Sequence, residues 1–238
     1  MKSTMTSIKN NSGLLSKLVI IIVLICGCSS KQTESKLEDM DKNKALFEAV
    51  DRGDATMVIK ILQDKLSLEI KNEKGRTALM EAVYKTDNKI AVLLITAGAD
   101  VNAQDGIKNS PFLYAGAEGN VEIVKMALKH GANFKIYNRY GGTALIPAAE
   151  KGHLEVVKLL VNTPNFPIDH INNLGWTALL EAVLLSDGGQ VHIDIVAALI
   201  KGGCDVNIGD KNGITSLMHA KKQGYTEMVK LLEQAGAK

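Results

Sequence analysis

Few side chains in this 238-residue sequence are of a type that does covalent, metal or proton chemistry. The cysteines are Cys26, Cys28 and Cys204; the histidines are His130, His153, His170, His192 and His219. None of the histidines pairs with a Cys or another His at metal-ligand spacing. No glycine-rich loop follows a strand pattern to cradle a phosphate, and no Ser or Cys sits in a recognisable nucleophile elbow. These absences point away from an enzyme, and no cofactor or metal is implied. Cys204 lies in Gly203-Cys204-Asp205-Val206-Asn207, where related segments carry Ala. A small buried side chain is the expectation there, in preference to a redox thiol. His153 and His192 are expected to begin helices, and His130 precedes Gly131. Cys28 stands apart because of what precedes it.

Lys2, Lys9 and Lys17 come before an unbroken apolar run, Leu18 to Ile25, and no acidic residue precedes Cys28. A basic start, an apolar stretch and a small residue are the layout of a secretory signal. The run is too short to cross a bilayer, which takes ~20 residues. Ile25-Cys26-Gly27-Cys28 resembles the lipobox of bacterial lipoproteins, with an aliphatic residue three places before the modified Cys and a small one directly before it. Cys26 departs from the Ala, Ser or Thr commoner at its position. The resemblance implies a signal peptide over residues 1–27, cleavage after Gly27, and a diacylglycerol, with acyl chains such as palmitate, in thioether linkage to the Cys28 sulfur. Because Ser29 is not Asp, it also implies the outer membrane, with the rest of the chain in the periplasm. Each buried methylene adds ~0.8 kcal/mol of membrane affinity, so several chains form a stable anchor. An uncleaved or unlipidated signal is the alternative. The polar stretch that completes residues 28–41 reads as a flexible tether. After cleavage Cys204 is the one free thiol, so no disulfide framework is expected.

What remains must position any binding residues. Hydrophobic residues make up 46% of the chain, aromatics only 4%, and there are 4 prolines, a balance that favours an all-α fold. Basic residues number 28 and acidic ones 26, and three of the basic ones fall before Cys28. The remainder is nearly neutral and lacks the electrostatic footprint of a nucleic-acid binder.

A period organises residues 42–238. Thr77-Ala-Leu-Met80, Ser110-Pro-Phe-Leu113, Thr143-Ala-Leu-Ile146, Thr177-Ala-Leu-Leu180 and Thr215-Ser-Leu-Met218 start 33, 33, 34 and 38 residues apart, and Lys44-Ala-Leu-Phe47 is a degenerate first copy. Gly53-Asp54, Thr86-Asp87, Gly119-Asn120 and Gly152-His153 recur every 33. Gly98, Gly131, Gly203 and Gly236 mark a third landmark. Thr or Ser is placed to cap a first helix, the following residue suits the first helical turn, and the third landmark suits a left-handed helix exit. Apolar spacing in Val121-Ile123-Val124-Ala127-Leu128 marks a second helix.

These landmarks in register resemble ankyrin repeats, in about six copies. The resemblance implies a solenoid of helix-turn-helix units with β-hairpin-like tips, whose copies bury a continuous core between neighbours. The family's motif His is Met80, Leu113, Ile146, Leu180 and Met218 here, so apolar packing must replace a polar tie. Copy four lacks the Gly exit, and copy five carries extra residues around Ser186 to Gln190, expected as a loop between its helices. That loop is either functional or a neutral insertion.

Arrays of this kind bind other proteins, most often through tips and the inner helix face, though fold alone names no partner. The residues just before each cap are Arg76, Asn109, Gly142, Trp176 and Ile214. Trp176, the only Trp, is either a solvent-facing hot spot or folded back on its neighbour, and Tyr140 and Ile107 share that ambiguity. The variable inner-helix row holds Glu48, Glu81, Tyr114, Pro147, Glu181 and His219, and the next holds Arg52, Lys85, Glu118 and Lys151. A solvated face and a polar partner groove explain them equally; Tyr84 and Tyr114 interrupt any groove. The candidate protein-binding residues are thus Trp176, Tyr140, Ile107, Arg76, Glu81, Tyr84, Tyr114, Glu181 and His219. A membrane-tethered array resembles immunity lipoproteins paired with secreted toxins, phospholipases included. The resemblance implies an inhibitor, monomeric when unbound, that occludes such a toxin. The alternatives are a scaffold for an exported enzyme such as catalase, or an envelope structural protein.

Overall fold

A computed structural model describes residues 41–64 and 66–238. The expected signal peptide, Cys28 and the tether up to residue 40 lie outside the described residues. The chain divides into two units, 1–45 and 46–238. Of the first, only the helical residues 41–45 are described. The second carries all that follows.

This second unit is a succession of helix pairs: α1 (residues 46–52) with α2 (Ala55–Ile61), α3 (Ala78–Tyr84) with α4 (Asn88–Thr96), α5 (Pro111–Ala117) with α6 (Val121–Lys129), α7 (Leu145–Glu150) with α8 (Leu154–Val161), α9 (Ala178–Leu184) with α10 (Gln190–Lys201), and α11 (Ser216–Gln223) with α12 (Thr226–Gln234). First helices pack on first helices from α3 to α11, and second helices on second helices from α2 to α12. Among the described residues there is no strand; the tips show a single isolated bridge, Gly209 to Thr215. The hairpin-like tips are each closed by a backbone hydrogen bond across the loop, from Asn72 to Arg76 in the first and from Asp210 to Ile214 in the last, and side chains add to it.

The caps follow the sequence at most positions. Thr77, Ser110, Thr177 and Thr215 each accept from the amide three residues on, and Asp54, Asp87 and Asn120 do the same for second helices. Thr143 is the exception: its Oγ1 is buried without a partner, and α7 starts after Ala144. A backbone bond is missing at this helix start as well. In other copies the amide four residues on donates to the cap's backbone carbonyl, as Glu81 does to Thr77 and Glu181 to Thr177. Copy four has Pro147 there, which has no amide hydrogen.

The core is the repeated apolar pattern. Leu79, Leu94, Ile123, Leu145, Leu160, Leu180 and Ile195 are fully buried, each contributing roughly 1.5–3 kcal/mol of transfer free energy. Of the residues replacing the motif His, Met80, Leu113, Ile146 and Leu180 are buried, while Met218 is half exposed. Phe112, Phe134 and Phe166 run as an aromatic ladder with centroids 6.1 and 4.9 Å apart. The extra residues of copy five do not all form a loop. α10 has 12 residues against 9 in α4 and α6, so part of the insertion lengthens the helix. The rest is fastened down, because Tyr225 Oη donates to the Ser186 carbonyl (2.7 Å). His153 caps α8 by position without a side-chain bond, and His192 is the third residue of α10.

Candidate protein-docking face

Five residues before each cap stands an Asn or Asp: Asn72, Asp105, Asn138, Asn172 and Asp210. Each folds a tip by the same device, an Asx turn. Its Oδ1 accepts from the amides two and four residues on: Lys74 and Arg76, Ile107 and Asn109, Tyr140 and Gly142, Leu174 and Trp176, Asn212 and Ile214, all between 2.8 and 3.1 Å. The backbone closes the loop, for example from the Asn172 amide to the Trp176 carbonyl (3.0 Å). Gly75, Gly141, Gly175 and Gly213 take positive φ inside these loops, and Lys108 does so at 61° in copy three.

This geometry moves the apex of each tip. The sequence leaves Trp176 either facing solvent or folded back; the structure makes Arg76, Asn109, Gly142, Trp176 and Ile214 the closing residues of their turns, buried or half-buried. The exposed residues lie two earlier: Lys74, Ile107, Tyr140, Leu174 and Asn212. Three successive ones are large and apolar, with Ile107 48%, Tyr140 53% and Leu174 49% exposed. Arg139 stacks its guanidinium 4.7 Å from the Tyr140 ring centre. Leu174 was missed from the sequence; the spacing from Asn172, matching Ile107 from Asp105 and Tyr140 from Asn138, is the signal that finds it.

The inner-helix row turns out to be occupied internally. Asn72 Nδ2 donates to Glu81 Oε1 (2.7 Å), Asn172 Nδ2 donates to Glu181 Oε1 (2.8 Å), and His219 Nε2 lies 3.0 Å from Asp210 Oδ2. In each case the residue nine positions on locks the tip. Glu181, expected on an open face, is only 5% exposed. Copy three carries Tyr114 at this position and uses the preceding repeat instead. Tyr84 Oη donates to Asp105 Oδ2 (2.7 Å) and accepts from Asn109 Nδ2 (2.8 Å). Arg76 lies 4.0 Å over the Tyr84 ring and 3.4 Å from Glu81 Oε2, a desolvated cation–π contact. Burial pushes the Tyr84 hydroxyl up to about 12. Arg76, Glu81, Tyr84, Glu181 and His219 are therefore tip-positioning residues first.

The two identical locks differ electrically. Glu81 has Arg76 beside it. Glu181 has Trp176 at the equivalent place, and burial, followed by repulsion from Glu150, pushes its carboxyl up to about 7 despite the Asn172 bond. In the outer row the charges pair, Lys85 with Asp51 (2.8 Å) and Lys151 with Glu118 (2.7 Å). Exposed pairs of this kind contribute little. Half-buried Cys204 has its thiol pushed up to about 12, by burial and then by Asp169 and Asp205, which makes it a poor nucleophile.

Beside the apolar tips, α5 and α7 leave a cleft of about 260 Å³ lined by Tyr114, Glu118, Tyr140, Pro147, Glu150 and Lys151. It brings Tyr114 and Tyr140 together. Ile107 and Leu174 flank Tyr140 on neighbouring tips. Among the described residues no group of three or more His, Cys, Asp or Glu could hold a metal ion. The arrangement offers rigid apolar knobs over a polar-edged cleft, which suits contact with another macromolecular surface.

Comparison with known proteins agrees with the repeat geometry. A sequence profile described as ankyrin repeats matches residues 5–105, 112–209 and 165–238. The ankyrin repeat protein YahD of Escherichia coli strain K12 is 34% identical over 189 residues, spanning 79% of this chain and 94% of that protein. The crystal structure of an ankyrin repeat domain from Acinetobacter baumannii AYE is 50% identical, with a TM-score of 0.79 over 81% of this chain and 98% of that one. The ankyrin repeat domain of Bcl-3, a member of the IκB protein family, is 27% identical, with a TM-score of 0.72 over 82% and 86%.

Proposed function

The chain belongs to the ankyrin-repeat family, and from that premise we propose that it is a membrane-anchored inhibitor that docks one protein ligand on the tips of copies three to five. Ankyrin repeats are protein-interaction modules. The observation that carries the proposal is the run of exposed apolar apices, Ile107, Tyr140 and Leu174, each held by its own Asx turn beside the Tyr114–Pro147 cleft. A rigid apolar knob loses little entropy on binding, and a central cluster of them carries most of an interface's affinity.

The ligand we propose is a secreted toxin such as a phospholipase, blocked by steric occlusion of its active cleft. Supporting this are the basic and apolar leader and the Ile25-Cys26-Gly27-Cys28 motif, which would tether the array to the periplasmic side of the outer membrane. There a toxin that attacks lipids must arrive. The proposal needs no change of shape in the array.

Two measurements test it. Mass spectrometry of the membrane fraction is expected to find acyl chains on Cys28, lost in Cys28→Ala; an unmodified Cys28 overturns the anchor. The full chain and its Tyr140→Ala/Leu174→Ala variant are presented to the products of neighbouring genes. The expected result is a stoichiometric complex with one toxin and at least a tenfold loss of affinity in the variant, about 1.4 kcal/mol. Capture of a resident enzyme such as a catalase, or undiminished toxin binding by the variant, overturns the reading.

A further inference from the structure

Each of the three apolar apices has a cation beside it. Lys108 follows Ile107, Arg139 precedes Tyr140 and stacks on its ring, and Lys211 reaches back from the next tip to donate to the Asn173 carbonyl beside Leu174 (2.7 Å). All three cations are exposed, and among the described residues none has a carboxylate within ion-pair distance. The helices show the opposite habit: Lys85 pairs with Asp51, Lys151 with Glu118, Lys158 with Glu155 and Lys230 with Glu227. The acids of these tips face inward. Asp105 Oδ1 accepts from the amides of Ile107 and Asn109 and its Oδ2 from Tyr84, while Asp210 Oδ1 accepts from those of Asn212 and Ile214 and its Oδ2 meets His219. Their side chains are only 1% and 9% exposed. Between the turn residue and the cap, copies three to six carry no other acid, and Glu73 of copy two is the exception in the array. Of the acids lining the cleft below, Glu118 is paired with Lys151 and Glu150 belongs to α7.

Lys108 supplies a second observation. It holds φ 61° at the turn position where Gly75, Gly141, Gly175 and Gly213 serve in the other copies. A side chain is disfavoured there, and strain of this kind is retained where the side chain has a task. We propose that the protein ligand of these tips presents an acidic surface: apolar recesses for Ile107, Tyr140 and Leu174, bordered by carboxylates that meet Lys108, Arg139 and Lys211. Exposed cations with no carboxylate of their own steer a partner of opposite charge and fix its register. Docking an apolar apex also strips water from the cation beside it, and a desolvated charge is costly unless the partner supplies its counter-charge. That the tips dock a protein rests on the function proposed above; the charge assigned to that protein rests on the sorting of acids inward and bases outward.

The full chain is titrated, by fluorescence anisotropy, with a labelled peptide of glutamates set among leucines, and with a copy in which lysines replace the glutamates. The expected result is binding of the acidic peptide alone, weakened about tenfold as added salt screens the charges. Lys108→Gly/Arg139→Gln/Lys211→Gln weakens it to a similar degree, and because glycine suits the backbone at Lys108 the variant keeps its tip. Lys85→Gln removes a cation already paired with Asp51 and leaves binding unchanged. No binding of the acidic peptide, equal binding of both peptides, or undiminished binding by the triple variant overturns the proposal. Capture of phosphatidylglycerol vesicles through the same three cations, without capture of the peptide, assigns the edge to lipid and overturns it too. Where the toxin sought above is captured, the triple variant is expected to slow its association about tenfold; an unchanged association rate overturns the acidic assignment and leaves the docking reading standing. Binding of the acidic peptide through these cations with no toxin captured has the opposite meaning: the toxin reading fails and the charge assignment holds.

Discussion

At the scale of single residues, the same side chain in the same repeat position behaves differently according to one neighbour. Glu81 and Glu181 both lock an Asn, yet only Glu81 has a guanidinium at hand. The consequence is a pH dependence of stability. Folded Glu181 keeps its proton up to about 7, whereas its ordinary value is 4.5. Between those values the folded chain binds more protons than the unfolded one, so stability falls as pH rises and levels off above about 7. Glu181→Gln is expected to raise stability at alkaline pH, and with it the thermal midpoint, by up to about 3 kcal/mol, and to remove that slope. Calorimetry at acid and alkaline pH checks both. A second residue is out of its preferred conformation. Thr86 has φ 55° at the turn where Gly53, Gly119 and Gly152 serve in other copies. A β-branched residue is strained there. Thr86→Gly is expected to stabilise the chain by about 1 kcal/mol, since strain relief outweighs the added freedom of the unfolded state and the lost bond to the Lys85 carbonyl. A higher urea midpoint with an unchanged slope is the sign to look for; a lower one refutes it.

At the scale of elements, helix ends and helix contacts follow local chemistry except where one residue intervenes. Pro147 withholds the amide that would reach the Thr143 carbonyl at the start of α7, and the Thr143 Oγ1 is buried and unpaired among the described residues. Gly116 in α5 is present for a different reason. A Cβ there would come within 2.7 Å of the Ala144 Cβ and 3.1 Å of the Ala144 carbonyl. The obstacle is backbone at the start of the next copy, which cannot swing aside as a side chain tip can. Gly116→Ala is therefore expected to destabilise by roughly 1–3 kcal/mol, against the helix propensity that favours Ala by about 1 kcal/mol. Chemical denaturation decides the sign. The lengthened α10 shows how an insertion can be absorbed: a stretch that fits a helix extends one, and the remainder is tied down by Tyr225.

At the scale of the molecule, each helix pair packs on its neighbours in sequence, so stability is shared locally and passed along the stack. Leu160 on α8 has no solvent exposure. Leu160→Ala is expected to cost about 2–5 kcal/mol. Hydrogen exchange should lose protection chiefly in copies three to five, with α1 and α2 least affected. Uniform loss along the array would contradict nearest-neighbour coupling. The apices behave oppositely. Tyr140 and Leu174 are about half exposed, so their replacement by Ala is expected to shift stability by no more than roughly 0.5 kcal/mol while it weakens docking. A variant that loses binding without losing stability is the mark of an interface residue.

The sequence by itself determined the all-helical class, the repeat register, most caps and the apolar core, because each is local chemistry repeated at a fixed period. A Thr accepts an amide three residues on, and a period of 33 puts equivalent apolar residues on equivalent faces. It also displayed, unread, the Asn or Asp five residues before every cap. What only the tertiary structure decided was the status of the variable positions. Trp176 and Tyr140 are both aromatic residues near a tip, yet one closes a turn and the other crowns it. Glu181 and Glu118 are both inner-face acids, yet one is buried on Asn172 and the other pairs in solvent with Lys151. Glu118 is paired by a residue 33 positions away along the chain, and no local pattern carries that information.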